Sequence, residues 1–219
     1  MKLILWCGAA LIAATALAAD PAAPGLPASR PEQRISLWNG RDLEGWSVFL
    51  KDPAVDPRSV CSIADGAIHL TGQPYGYLRS TYNYFSYRLH VQWRFLSANP
   101  KNNSGVFVHV NGPDAIWPEC VECQIKTGSV GDLIGTVISF PAPVINKKWR
   151  ALVTTPGHEK PPGEWNDYDV ICRNDYIETY VNGFFRNRVQ PVTVNSGAIA
   201  LQLEGTPVEF RDIWLEALR

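Results

Sequence analysis

The sequence predicts an all-β domain, a two-sheet antiparallel β-sandwich. Three observations predict it. Apolar and polar residues alternate with period two through much of the chain, the pattern of a strand with one buried face. Turn dipeptides such as Asp65-Gly66 and Asn182-Gly183 cut these runs short, and Asn-Gly between alternating runs is a strong two-residue hairpin signal. Apolar residues at helical spacing are nearly absent beyond the N-terminus, and about ten short strands suit two stacked sheets better than a small barrel.

The elements follow in order. Lys2 precedes an uncharged apolar run, Leu3 to Leu17, and Ala16-Leu17-Ala18 and Ala18-Ala19 offer small-residue cleavage sites. Residues 1–19 therefore read as a secretory signal peptide, too short to span a bilayer. Cys7 lies inside the run, so cleavage there would leave no signal core and a lipoprotein is not expected. Residues 20–34 carry Pro21, Pro24, Pro27 and Pro31 among alanines, which predicts an extended linker. The folded domain is assigned to residues 35–219. The expected location is secreted, in the periplasm, with no transmembrane segment after cleavage.

Beyond position 19 the chain holds 19 basic and 21 acidic residues with no basic stripe, which argues against a nucleic-acid partner. No basic amphipathic helix is present, which argues against a membrane-surface role.

Parity along the strands separates their faces. In 87–95 the set Tyr87, Leu89, Val91, Trp93, Phe95 is apolar, and Arg88, His90, Gln92, Arg94 lie opposite. In 104–110 Val106, Val108 and Val110 are expected to face the core, with Phe107 and His109 opposite. In 120–126 Val121, Cys123 and Ile125 form the apolar side, leaving Cys120, Glu122, Gln124 and Lys126. In 198–204 Ala200, Gln202 and Glu204 oppose Ile199, Leu201 and Leu203. The polar faces carry Arg, His, Gln, Glu and aromatics in place of the Lys, Ser and Thr of a plain solvated face. That composition suits a concave surface for a hydroxyl-rich ligand; a plain exposed sheet face is the alternative.

The pair Cys120-x-x-Cys123 sits in a strand, where positions i and i+3 point to opposite faces, so no metal site is assigned. If a disulfide forms, Cys61–Cys172 is the pair we would name; buried free thiols are the alternative.

Ile35-Ser-Leu-Trp-Asn-Gly-Arg-Asp-Leu-Glu-Gly-Trp46, Asn103-Ser-Gly-Val-Phe-Val-His109, Glu119-Cys-Val-Glu122-Cys-Gln124-Ile, Pro162-Gly-Glu-Trp-Asn166, Val181-Asn-Gly183, the run Gly197 to Gly205 and Val208-Glu-Phe-Arg-Asp-Ile213 occur in order. Together they resemble the motifs of the 3-keto-disaccharide hydrolase family over nearly all of 35–218. The resemblance implies a concanavalin A-like jelly roll and cleavage of glycosides already oxidised to a ketone at sugar carbon 3. His109 stands where the family commonly has Arg, a departure that bears on how the ketone is held. The implied partner is a small carbohydrate-derived substrate. No cofactor is implied; calcium, which this fold class sometimes carries, would need a ligand loop, and no acidic cluster at that spacing is visible.

A ketone at carbon 3 acidifies the hydrogen on carbon 2, so cleavage can run through an enolate that expels the group at carbon 1. That route needs a base, a stabiliser for the enolate oxygen and an acid; ordinary hydrolysis by two carboxylates is the alternative. Glu122 is the first candidate for the base, because a carboxylate over an apolar sheet has its pKa pushed up. Glu204 is the second. His109 and Arg94 are candidates for the enolate contact, and His109 can also move protons. Gln124, Lys126, Gln202 and Asn103 are candidate sugar contacts, and Trp117 and Trp165 candidate stacking platforms. Trp38, Trp46, Trp93 and Trp214 read as packing. A non-catalytic carbohydrate-binding module is the competing reading, since fold alone does not set function.

Overall fold

The computed structural model describes residues 27–138, 140, 150–151 and 157–218. The expected signal peptide and the first part of the expected linker lie outside them. In chain order the strands are β1 (Ala28–Ser29), β2 (Ile35–Ser36), β3 (Trp46–Leu50), β4 (Cys61–Ala64), β5 (Ala67–Leu70) and β6 (Gly76–Ser80). Then come β7 (Asn83–Phe85), β8 (Tyr87–Arg94), β9 (Gly105–Asn111), β10 (Glu119–Gln124), β11 (Leu133–Thr136) and β12 (Arg150–Ala151). The last five are β13 (Asn166–Arg173), β14 (Tyr176–Val181), β15 (Phe184–Val189), β16 (Ser196–Leu203) and β17 (Val208–Ala217).

They form two sheets. One has the order β1-β7-β16-β9-β10-β11-β12, with β6 also on β16 and β3 on β6. The other runs β15-β14-β13-β8-β17-β5-β4, with β2 on β17. β1 docks parallel on β7; the other ladders are antiparallel. The all-β sandwich that the alternating pattern predicts is the observed architecture. The hairpin signals hold at the level of dihedrals: Asp65-Gly66 and Asn182-Gly183 all have positive φ, as a two-residue primed turn requires.

The core lies between the sheets. Tyr87, Leu89, Val91 and Trp93 of β8 share one buried cluster with Val106 and Val108 of β9, Val121 and Cys123 of β10, and Ile199, Leu201 and Leu203 of β16. Each such side chain removed from water contributes about 1.5–3 kcal/mol. The chain just before residue 35 is attached as well. Ala28–Ser29 pairs with Asn83–Tyr84, and the Arg30 guanidinium donates to the Leu218 carbonyl at 2.9 Å. A backbone ladder needs no apolar side chains, which is why a Pro- and Ala-rich stretch can form one.

Three expectations are corrected. His109 has φ +57, and the register shifts beside it in both flanking ladders. This bulge reverses the alternation. His109 therefore turns into the interior, edge-on to Tyr87 with ring centroids 5.8 Å apart, while Val110 joins a separate cluster with Tyr77, Phe107, Cys120, Ala198 and Ala200 on the other side of the sheet. Trp214 does not pack in the core. It stacks on His90 at 4.6 Å, with the Arg34 guanidinium 3.9 Å above its ring. Finally, Cys61 and Cys172 are not bridged; the four cysteines of the described residues are buried and free. Cys120 and Cys123 belong to clusters on opposite sides of their sheet, as a strand spacing of three demands.

Candidate functional site

The outer face of the first sheet carries the site. On it Arg79 of β6 pairs with Ala200 of β16, Ala200 with Phe107 of β9, Phe107 with Glu122 of β10, and Glu122 with Ile134 of β11. One rung away, Tyr77 pairs with Gln202, and Gly105 with Gln124. A loop after β9 folds over the Tyr77 end of this face. Asp114 accepts the Tyr77 hydroxyl at 2.6 Å and the Arg79 guanidinium at 3.0 Å, and Trp117 follows on the same loop, edge-on to Tyr75. What stays open is a cavity of about 440 Å³ lined by Asn103, Trp117, Glu122, Gln124, Lys126, Glu204 and the stretch 134–137 of β11 and its end.

The floor is built from polar side chains with fixed orientations. Glu122 is 3% exposed. Gln124 turns its Oε1 back to accept the backbone N–H groups of Ile125 and Lys126, at 2.9 and 2.8 Å, so its Nε2 is the end left for a ligand. Glu204 accepts from the Gln202 and Asn103 side chains; burial raises its pKa, against those hydrogen bonds and the Lys126 charge, which lower it. Gln202 lies beneath, buried, and its Oε1 has no hydrogen-bond partner among the described residues. Asn103 is tied at its backbone: its N–H donates to the Thr206 hydroxyl at 2.9 Å, and that hydroxyl donates back to its carbonyl.

Gly105 makes room for this floor. A Cβ there would stand 3.0 Å from Cγ and Oε1 of Glu122 and 3.1 Å from Oε1 of Gln202. A glycine within a strand often marks close approach, and here two polar side chains fill the space above it.

Six of the residues expected from sequence thus line one cavity: Glu122, Glu204, Gln124, Lys126, Asn103 and Trp117. Gln202 supports them from below. Three do not belong. His109 is in the interior, where its Nδ1–H donates to the Val194 carbonyl at 2.8 Å. Arg94 is on β8 of the second sheet, donating to Glu209 at 2.5 Å. Trp165 lies with it, its ring flanked by the Arg94 and Arg211 guanidinium groups at 4.4 and 4.1 Å. Parity identified β8 as having a polar face, but not which sheet owned that face. The sequence reading also passed over Gly105, Asp114, Ile134 and Val137. Of these only Gly105 left a signal, as a glycine in a strand pattern.

The Asp114 anchor yields an expected outcome. Asp114→Ala leaves the buried Arg79 guanidinium without its ion partner and should destabilise the fold by about 2 kcal/mol. Urea unfolding of the variant beside the parent measures it; an unchanged midpoint would mean that the loop is not held through this pair.

The family follows from the whole sequence. Residues 33–216 match the model of the 3-keto-alpha-glucoside-1,2-lyase-like domain. The chain belongs to this family. The matched stretch takes in every residue that lines the cavity. No curated protein matches the chain. Among solved structures, the domain is similar to one from Parabacteroides distasonis ATCC 8503 provisionally named a glycosyl hydrolase, at 20% identity, covering 86% of this chain and 95% of that one, with TM-score 0.63. It is also similar to the carbohydrate-binding module CBM66 of Bacillus subtilis, at 7% identity, covering 79% and 96%, with TM-score 0.58. A third is the β-glucanase of Bacillus licheniformis, at 14% identity, covering 80% and 92%, with TM-score 0.50. At these identities the likeness is one of fold, the jelly roll.

Proposed function

We propose that this protein cleaves glycosides that carry a ketone at sugar carbon 3. The observation that carries the reading is the placement of the buried Glu122 carboxylate in one cavity with a second carboxyl, Glu204, and the Lys126 ammonium, in a chain of this family. Glu122 takes the proton from carbon 2. The carbon 1–oxygen bond then breaks, the departing oxygen gains a proton, and a double bond forms between carbons 1 and 2. Water adds across that double bond to complete hydrolysis. Lys126 and the Gln124 Nε2 supply donors for the enolate oxygen. Glu204 has its pKa raised by burial, so a larger share of it is protonated near neutral pH than of a free carboxyl, and it can donate to a substrate oxygen. The apolar signal run at 1–19 supports placing this reaction outside the cytoplasm.

The test is incubation of the purified protein with 3-keto-trehalose and with a 3-keto-β-glucoside, following release of 3-keto-glucose. Release from either supports the enzyme. Binding of plain glycans with no release would point to a binding module. Gly105→Ala refines the test. The added Cβ displaces Glu122 and Gln202 by a few tenths of an ångström, and kcat should fall about tenfold with the fold intact. An unchanged kcat would mean that the position of Glu122 is not critical.

A further inference from the structure

We infer, resting on the reading above, that the group at carbon 1 of the preferred substrate is apolar, an aryl aglycone in preference to a second sugar. The cavity changes character at a single strand. On one side of Glu122 lie Asn103, Gln124, Lys126 and Glu204, all able to hydrogen-bond. On the other side Glu122 pairs directly with Ile134 of β11, and the wall continues through Gly135, Thr136 and Val137 to Trp117. The Thr136 hydroxyl is already engaged, donating to the Pro118 carbonyl. Each hydroxyl of a second sugar would lose water at this wall and meet few partners there among the described residues, which disfavours it.

Val137 adds a second observation. It is 82% exposed, at the cavity edge, and has φ +64. A β-branched residue in the left-handed region is strained, and at this exposure it gains little packing in return. Trp117 is 49% exposed beside it. Exposed apolar groups gathered at a polar cavity mark a surface that a ligand covers. Strands lie about 4.8 Å apart, and β9 stands between β16 and β10. The floor from β16 to β10 therefore spans about 10 Å, room for one sugar ring with its hydroxyl groups, and β11 with Trp117 takes what is attached to it. The bond to be broken then sits over Glu122, at the border of the two halves.

The experiment is calorimetric titration of the full chain carrying Glu122→Gln, which silences turnover, with 3-keto-glucose, phenyl 3-keto-β-glucoside and a 3-keto-disaccharide. The expected result is that the phenyl glycoside binds about tenfold more tightly than the disaccharide. That preference should fall toward unity when Val137→Ser is added, a change at an exposed position that leaves the core untouched. If 3-keto-glucose binds and the disaccharide binds as well as the phenyl glycoside, the inference is overturned and the catalytic reading stands. If none of the three binds, both fall.

Discussion

Under the proposed function, Glu122→Gln is expected to reduce turnover of a 3-keto-glycoside by about a thousandfold, the usual size of a positioned general base. The reasoning is geometric before it is electrostatic. Glu122 is buried in the cavity floor, its side chain rests over the gap at Gly105, and the β11 partner opposite is apolar. Glutamine keeps that shape and can still hydrogen-bond, so the fold and the substrate affinity should survive while proton abstraction stops. Measuring kcat beside the dissociation constant separates these effects. A loss of less than tenfold in kcat would remove Glu122 from the role of base and move the test to Glu204→Gln.

The second large effect is on stability against pH, through His109. Burial lowers its pKa from 6.5 to about 4, against a smaller raising effect of the hydrogen bond to Val194. In the unfolded chain the imidazole takes a proton near its ordinary pKa of 6.5. Between those values the unfolded state binds the extra proton, so stability rises with pH. The contribution is complete above pH 6.5 and is lost as pH falls to about 4, roughly 3 kcal/mol in all. His109→Asn tests it, since asparagine tolerates the positive φ and retains an N–H donor. Denaturant unfolding from pH 7 to pH 4 should give a steeper loss in the parent than in the variant. Parallel curves would mean that the histidine titrates in the folded protein as it does in the unfolded one.

Both effects come from residues that the sequence nominated for the same site, and the structure places them on opposite sides of one sheet, His109 inside against Tyr87 and Glu122 in the outer cavity. For Glu122 alternation was a sufficient guide: Cys120, Glu122 and Gln124 keep an uninterrupted period of two through β10. For His109 it was not, because one residue in the left-handed region shifts everything after it to the other face. Histidine is among the side chains that accept that conformation more readily, yet a valine-rich run offers no sign that the alternation breaks within it. Arg94 and Trp165 illustrate a different limit. The polar face of β8 was read correctly, and it forms a network with Asp167, Asp169, Glu209 and Arg211, but on the sheet that does not hold the cavity.

The sequence by itself determined the local facts: that the domain is built of short strands, where the Asp-Gly and Asn-Gly hairpins turn, which side of β8, β10 and β16 is apolar, and the family to which the motifs belong. Those are set by contacts between residues close in the chain and by the period of the pleat. Only the tertiary structure decided which strands share a sheet, that β10 and β16 meet across β9 so that Glu122 and Glu204 line one cavity, and that Asp114 folds a loop over Tyr77 to form its wall. Those depend on pairings between segments far apart in the chain, such as Gly76 with Leu203 and Phe107 with Ala200, and a period of two is the same whichever neighbour a strand chooses.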